Sequence, residues 1–269
     1  MQEYKLSQIN IYPIKSLRGI ELEQAFVEER GLKYDRRWML VDLTNEFITQ
    51  RNFPQMTLID IKLLDQKLIL SHRNKSLDKL EISTNEFPQK SIEVKIWSDV
   101  CSALEYNNEI NNWFSRAIDF NCKLVYMTDQ SERKTTTKYY TQSKNVSFAD
   151  AFPFLIIGEE SLKYLNNKLD IPITMESFRT NLVFSGGEPH DEDNWKNIWI
   201  GNLEFVNVKP CSRCVITTVN PDNGTKSREP LRTLATYRTF NNKVMFGQNL
   251  IGLSTGKIKI GDKITFEKS

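Results

Sequence analysis

The sequence predicts a mainly β protein of the β-barrel type with a few helices. Most apolar residues fall in short or alternating runs bounded by Pro, Gly, Asp and Asn, a pattern typical of strands. Convincing helical periodicity is confined to two segments. With 269 residues, of which 39% are hydrophobic and 11% aromatic, the chain is long enough for one large or two modest domains.

Ten segments match the strand pattern, and together they favour a barrel or a sandwich. No internal repeat or low-complexity tract accompanies them. The predicted strands are residues 5–13, 25–29, 38–42, 56–64, 67–71, 181–184, 203–208, 215–219, 257–260 and 264–266.

Two further segments predict helices. Residues 107–118 carry apolar side chains at helical spacing. Residues 159–169 begin with an acidic turn that complements the helix dipole, and Pro172 follows their end. Between the two helices, residues 129–145 are polar, lack periodicity and exceed the length of an ordinary connection. This segment is therefore either a surface linker or a lid.

The charge balance excludes some classes of partner. Lys and Arg number 36 and Asp and Glu number 34, which leaves a formal net charge of +2. Such a balance gives no electrostatic case for a nucleic acid or a membrane surface as the main partner. The N-terminus lacks the apolar segment of a signal peptide, and no apolar run reaches the roughly 18 residues of a membrane-spanning helix. These features predict a cytoplasmic protein, in which the four cysteines stay reduced.

The most informative motif places Cys211 and Cys214 beside Arg213 and Lys209. The thiolate is the form of cysteine that binds metals and acts as a nucleophile, and cationic neighbours favour it. Thiolate ligands also suit soft metals. The motif therefore has the chemistry of a built cysteine site.

Three other interpretations of the motif stay open. A structural zinc ion needs four ligands, but the remaining candidates, Cys101, Cys122, His72 and His190, are single and distant in the sequence. A thioredoxin-like dithiol needs a helix that starts inside the motif, whereas residues 215–219 predict a strand. Lastly, two buried cysteines can simply pack as small apolar residues.

Basic residues cluster at the ends of predicted strands. Lys15 and Ser16 follow the first strand, Arg36 precedes another, residues 49–51 end in an arginine, and Arg179 precedes a strand in the second half. Arginine supplies forked and permanently charged donors that suit phosphate. Each cluster alone is most simply a surface ion pair. Four of them with a Cys-x-x-Cys motif suggest an anionic ligand that carries a metal.

These motifs, taken as an ordered set, resemble the MOSC-domain proteins, a class named for the C-terminal domain of molybdenum cofactor sulfurases. The resemblance is to the two-part type represented by the mitochondrial amidoxime-reducing component, and it covers nearly the whole chain. It is carried by residues 12–16, 35–38, 148–155, 178–181, 199–201, 211–222, 229–231, 246–248 and 256–262.

The resemblance implies an N-terminal MOSC β-barrel domain at residues 1–125 and a MOSC domain at residues 126–269, with the molybdenum cofactor (molybdopterin carrying molybdenum) held between them. It implies that Cys214 coordinates molybdenum, whereas Cys211 is structural. The expected residues that bind the pterin or its phosphate, or that lie next to it, are Lys15, Ser16, Arg36, Arg179 and Asn181.

The resemblance also implies two features of the reacting end of the site. Asp150 lies in the segment beside the metal position, where a proton-relay or positioning group is expected, and we place it with Cys214 in the catalytic set. Phe152 stands where the pattern usually has a small polar residue. This departure alters the expected shape of the substrate pocket.

The implied activity is the reduction of N-hydroxylated compounds such as amidoximes or hydroxylamines. Because the chain ends just past the closing strand and has no cysteines left for an iron–sulfur cluster, we expect an external electron donor. This donor would be a ferredoxin or cytochrome supplied by a reductase. The alternatives are a non-catalytic molybdenum cofactor or sulfur carrier that uses Cys214, and a zinc-stapled interaction module.

Overall fold

The computed structural model describes residues 3–136, 138 and 140–268. The described residues form nineteen strands and three α-helices, which confirms the mainly β prediction. The strands are β1 (Tyr4–Ile11), β2 (Ile20–Leu22), β3 (Gln24–Glu28), β4 (Gly31–Leu32), β5 (Trp38–Val41), β6 (Ile59–Leu64), β7 (Lys67–His72), β8 (Leu80–Ser83), β9 (Lys90–Ile96), β10 (Asp99–Glu105), β11 (Lys123–Tyr126), β12 (Phe154–Gly158), β13 (Leu182–Ser185), β14 (Trp195–Ile200), β15 (Leu203–Ser212), β16 (Thr239–Phe240), β17 (Lys243–Gly252), β18 (Gly256–Lys259) and β19 (Lys263–Lys268). The helices are α1 (Asn108–Ile118), α2 (Glu159–Asn166) and α3 (Leu231–Ala235).

Seven strands close into a barrel. They pair in the order β12, β13, β1, β19, β14, β15 and β17, and β17 pairs back to β12. All these pairs are antiparallel except β12 with β13, which is parallel. Every strand of the ring contributes to one buried apolar cluster that includes Leu6, Phe184, Trp195 and Phe205. Closure leaves the ring without an open edge, so its backbone groups are paired on both sides.

The remaining strands form smaller sheets. One has the order β5, β11, β10 and β9, and a second has the order β6, β7 and β8. Helix α1 packs its buried face, which includes Trp113 and Phe114, into the apolar cluster around Trp38. A third sheet joins β3 and β4 to β18.

Two sheets contain strands from both sides of the predicted domain boundary at residue 125. The barrel includes β1 from the start of the chain, and β3 pairs with β18 near its end. The boundary itself stays a prediction. Within the described part of the chain, no helix is long and apolar enough to cross a membrane.

The first predicted helix is confirmed and the second is shorter than predicted. Helix α1 begins after Asn107, whose side chain accepts a hydrogen bond from the amide of Ile110. Helix α2 ends at Asn166 instead of residue 169. The Asn166 side chain bonds both the amide and the carbonyl of Ile173, which turns the chain back at this point.

Two predicted strands are wrong in part. Residues 215–219 form a 3-10 helix over Val215–Thr218, and a second 3-10 helix, Pro54–Leu58, replaces the start of the predicted strand 56–64. Thr217 and Thr218 donate their hydroxyls to carbonyls three residues back, at 2.9 and 2.8 Å. These local bonds override the strand preference of β-branched residues. Sequence patterns also missed several strands, among them β9, β10, β12, β14 and β17.

Barrel closure generates a stability prediction at Gly247 in β17. Its φ is +77°, and a Cβ atom there would lie 2.8 Å from the Ile156 carbonyl oxygen and 2.5 Å from a side-chain atom of Ile157. Gly261 has a φ of +90° with no atom within 4 Å of such a Cβ. We expect Gly261→Ala to cost about 1–2 kcal/mol of unfolding free energy from strain alone. Gly247→Ala should cost about 1–3 kcal/mol more from overpacking. Urea unfolding of both variants measures the difference, and equal losses would contradict the closure described here.

Candidate functional site

The predicted site residues meet in one cleft with a volume of about 290 Å³. They lie on loops at the ends of strands, which is where a rigid scaffold usually holds functional groups. The cleft is lined by Lys15, Ser16, Arg36, Thr49, Arg51, Ala149, Asp150, Ala151, Phe152, Phe154, Leu155, Phe178, Arg179, Asn181, Lys209, Cys211, Ser212, Arg213, Cys214, Ile216 and Asn249. All seven residues that the sequence singled out are in this set.

The cleft is strongly cationic. Among the described residues that line it, six are lysine or arginine and one, Asp150, is acidic. The whole chain is almost neutral by comparison. A concave surface of one charge sign concentrates ions of the opposite sign. The cleft is therefore suited to an anionic ligand.

Three of the lining residues have strained backbones. Ser16, Arg36 and Arg179 have φ angles of 65°, 50° and 55°. This left-handed region is costly for residues other than glycine, and such strain tends to gather at functional sites. The three residues line the same cleft, and nine further non-glycine residues with positive φ among the described residues lie outside it.

Tyr12 organises two of the arginines. Its buried ring lies 4.6 Å from the Arg36 guanidinium carbon and 4.3 Å from that of Arg179. Arg36 donates to Asp35 at 2.6 Å, to the Asn181 side chain at 3.0 Å and to the Arg179 carbonyl at 3.1 Å. One aromatic ring and one carboxylate thus hold two guanidinium groups side by side.

Arg179 shows that this arrangement has unused donor capacity. It donates one bond to the Leu17 carbonyl at 2.7 Å, but its buried Nη2 atom has no hydrogen-bond partner within the described part of the chain. Burial and the nearby Arg36 charge lower the pKa of Arg179 to about 10. A buried guanidinium with an unpaired donor is costly unless an anion completes its shell.

Lys15 and Asp150 form a tight ion pair. The Lys15 Nζ atom lies 2.5 Å from Asp150 Oδ1 and 2.7 Å from the Phe148 carbonyl. The lysine side chain is only 6% exposed, whereas that of Asp150 is 52% exposed. Burial lowers the pKa of Lys15 to about 8, although Asp150 opposes the shift. Desolvation opposes ionisation of Asp150, but the charges of Lys15 and Arg51 outweigh it and hold the pKa of this carboxyl below its usual range.

Arg133 binds the backbone of residues 147–150, the segment that carries Asp150. This buried side chain donates to the carbonyls of Ser147, Ala149 and Asp150 at 2.7, 2.5 and 3.1 Å, and to Asp99 at 2.9 Å. Arg133 belongs to the polar segment 129–145, so the first part of that segment is anchored at the site. Residues 137 and 139 lie outside the described residues, and whether the segment is a linker or a lid stays untested.

The two cysteines of the motif have different cationic partners. Arg213 donates to Cys211 Sγ at 3.0 Å and to the Phe178 carbonyl at 2.6 Å. Cys214 Sγ instead accepts from Arg51 Nη2 at 3.5 Å. The sequence suggested Arg213 as the common neighbour of both thiols, because sequence distance cannot reveal a bond across 163 positions. Arg51 was noticed within residues 49–51 but not assigned to the site.

The geometry weakens two of the alternatives for the motif. Within the described residues, no group of three or more His, Cys, Asp and Glu could hold a metal ion between them. Cys101 and Cys122 are buried within separate apolar clusters. The helix that follows Cys214 is a four-residue 3-10 helix and not an α-helix that starts inside the motif, so a thioredoxin-like arrangement is not formed.

The residues present fit the molybdenum cofactor that the resemblance implies. Arg179 offers an unpaired donor, Lys15 and Arg36 add positive charge, and Cys214 offers a soft sulfur ligand. Phe152, Phe154 and Leu155 form an apolar part of the lining. The Lys209 ammonium lies 5.5 Å from the centre of the Phe152 ring.

Comparison with known proteins agrees with this arrangement. The MOSC N-terminal beta barrel domain matches residues 3–121, and the MOSC domain matches residues 143–265. Mitochondrial amidoxime-reducing component 1 of Mus musculus is 31% identical over 277 residues, which cover 96% of this chain and 81% of the relative. Mitochondrial amidoxime reducing component 2 of Rattus norvegicus is also 31% identical, over 96% of this chain and 82% of the relative.

A second group of relatives is much longer than this chain. Molybdenum cofactor sulfurase of Solanum lycopersicum is 36% identical over 265 residues, which cover 90% of this chain. The match spans only 32% of that relative's length. With both domain matches and relatives similar over most of their length, the chain belongs to the MOSC-domain family, in the type that joins an N-terminal MOSC β-barrel domain to a MOSC domain.

Proposed function

We propose that the chain binds the molybdenum cofactor in this cleft and reduces N-hydroxylated compounds such as amidoximes and hydroxylamines. The observation that carries the proposal is the cationic cleft itself, which Lys15, Arg36 and Arg179 line together with Cys214. The names of the relatives supply the chemical class. The proposed domain boundary near residue 125 belongs to this proposal.

The residues divide into holding and reacting groups. Cys214 is the metal ligand, and the anionic part of the cofactor is held by Lys15, Ser16, Arg36, Arg179 and Asn181. When bound, the cofactor supplies two-electron oxygen-transfer chemistry. The paired arginines on Tyr12 orient the anion, since both are fixed before it arrives.

Asp150 and Lys15 supply the proton handling. Conversion of an N–OH group to N–H plus water consumes two electrons and two protons. Lys15 Nζ carries a proton at neutral pH and bonds Asp150 Oδ1, and the Asp150 carboxylate is half exposed at the cleft. This pair therefore connects a buried proton to solvent beside the Cys214 end of the cleft.

In this proposal, a separate protein supplies the electrons, either a ferredoxin or a cytochrome with its reductase. The proposal also places the protein in the cytoplasm. The apolar lining of Phe152, Phe154 and Leu155 contacts the carbon part of the substrate.

The decisive experiment is elemental analysis of protein made in a host that synthesises molybdopterin, followed by benzamidoxime reduction with an artificial electron donor. Stoichiometric molybdenum with turnover supports the proposal. Molybdenum without turnover favours the carrier alternative, and zinc would overturn both.

The cysteine assignment predicts different effects of two similar substitutions. Cys214→Ser should abolish molybdenum retention, because a hydroxyl is a poor ligand for a soft metal. Cys211→Ser should retain most of the metal, since the Cys211 sulfur bonds Arg213 at a different place. Metal content and benzamidoxime turnover of both variants are the measurements. Equal losses in the two variants would remove the assignment of Cys214.

The proposed binding of the anion by Arg179 predicts that removing this side chain weakens cofactor binding without unfolding the protein. Arg179→Ala should retain the native circular-dichroism spectrum but hold the cofactor about ten- to a hundred-fold more weakly, since a charged hydrogen bond contributes about 1.5–3 kcal/mol. Arg228→Ala is the matched control, because Arg228 is exposed and does not line the cleft. Unchanged pterin content in Arg179→Ala would contradict the proposed grip.

Lys15 predicts a pH dependence with a defined sign. Its pKa of about 8 means that it loses its positive charge as the pH rises through this value, while Arg179, with a pKa of about 10, stays charged. A phosphate monoester does not change charge there, since its second pKa is about 6. Cofactor retention should therefore fall between pH 7 and pH 9. Lys15→Met should retain less at pH 7 and show no such fall; an identical pH profile in both proteins would exclude Lys15 as its source.

A further inference from the structure

Arg51 is the residue that joins the two reacting groups of the cleft. Its Nη2 atom lies 3.5 Å from Cys214 Sγ and 3.3 Å from Asp150 Oδ2. Its guanidinium carbon lies 4.7 Å from the centre of the Trp97 ring, and Trp97 itself donates to Asp150 Oδ1 at 3.3 Å. The same nitrogen therefore contacts a sulfur and a carboxylate, and the guanidinium packs against the Trp97 ring.

The Arg51 side chain contacts Asp150 and Trp97, and its backbone makes two further hydrogen bonds. Its amide donates to the Thr49 hydroxyl at 3.2 Å, and its carbonyl accepts from Lys226 Nζ at 2.8 Å. Lys226 follows Cys214 in the chain by twelve positions, so the Arg51 backbone is tied to the same segment that carries the sulfur. The side chain is only 19% exposed, which limits competition from water.

A guanidinium hydrogen bond changes the chemistry of a metal-bound thiolate. It withdraws electron density from the sulfur and so favours the more electron-rich, reduced form of the centre. Arginine keeps its charge over the whole working pH range, so this effect does not depend on titration. Arg213 is directed elsewhere, because its Nη1 and Nη2 atoms bond Cys211 and the Phe178 carbonyl.

We infer that Arg51 is a positioning residue that orients the Cys214 sulfur and raises the reduction potential of the metal centre bound to it. This inference rests on the proposed function, because it requires a metal on Cys214. It adds a role beyond that of Asp150, since Arg51 bonds both Asp150 and the Cys214 sulfur within the described part of the chain.

The test compares the wild type with Arg51→Lys and Arg51→Met, all purified with cofactor. Lysine keeps the charge but loses the fork that reaches two acceptors, whereas methionine keeps the bulk and loses both. We expect metal content to be highest in the wild type, lower in Arg51→Lys and lowest in Arg51→Met. The midpoint potential should fall in the same order. The potential is measured by redox titration of the molybdenum electron-paramagnetic-resonance signal. Arg228→Ala, which changes an exposed arginine outside the cleft, should match the wild type.

The outcomes separate this inference from the proposed function. A wild type that purifies without molybdenum refutes the proposed function. A metal-loaded wild type, with a midpoint potential that falls in the expected order through the two variants, supports the role of Arg51. If the wild type is loaded, but the midpoint potentials of the two variants equal that of the wild type or equal each other, the inference about Arg51 is wrong while the function stands. A purely structural role would change metal content without grading the potential with the charge.

Discussion

The antiparallel pairing of β1 with β13 is the contact on which the site depends. It places Ile9 opposite Leu182, and the amide of Asn10 then donates to the Asn181 carbonyl at 2.8 Å. The chain continues from β1 along the start of β5, where the Lys15 amide bonds the Trp38 carbonyl at 2.8 Å. One strand therefore brings the lysine loop, the Arg36 turn and the Arg179 turn together, although they are far apart in sequence.

The charges of the cleft suit an anionic ligand. Two guanidinium groups share one aromatic ring, and a buried donor of Arg179 has no hydrogen-bond partner among the described residues. Both arginines also hold a left-handed backbone conformation. The left-handed backbone and the buried donor disfavour the folded state, and local costs of this kind are often found at functional sites. The barrel and the apolar clusters supply the stability that offsets them.

The sequence predicted the fold class better than it predicted the contacts within the cleft. All seven predicted residues line one cleft, because the ordered motifs of the family carry that information. The strand predicted at residues 215–219 is a 3-10 helix, since the hydroxyls of Thr217 and Thr218 bond nearby carbonyls. The partner of Cys214 was also missed. Local patterns describe neighbours in the chain, whereas Arg51 reaches the sulfur from the opposite half of the sequence.

The division of cations between the two cysteines explains how one short motif can hold two distinct sulfurs. Cys211 lies near the end of barrel strand β15 and accepts a hydrogen bond from Arg213. Because Arg213 also bonds the Phe178 carbonyl, this thiol is linked to the segment that positions Arg179. Cys214 begins the 3-10 helix and faces Arg51, whose other contacts are Asp150 and Trp97. In the proposed function, the first sulfur therefore belongs to the framework that holds the anion. In the same proposal, the second sulfur belongs to the network of Arg51 and Asp150 that handles protons. The reaction would take place where this network contacts the Cys214 sulfur.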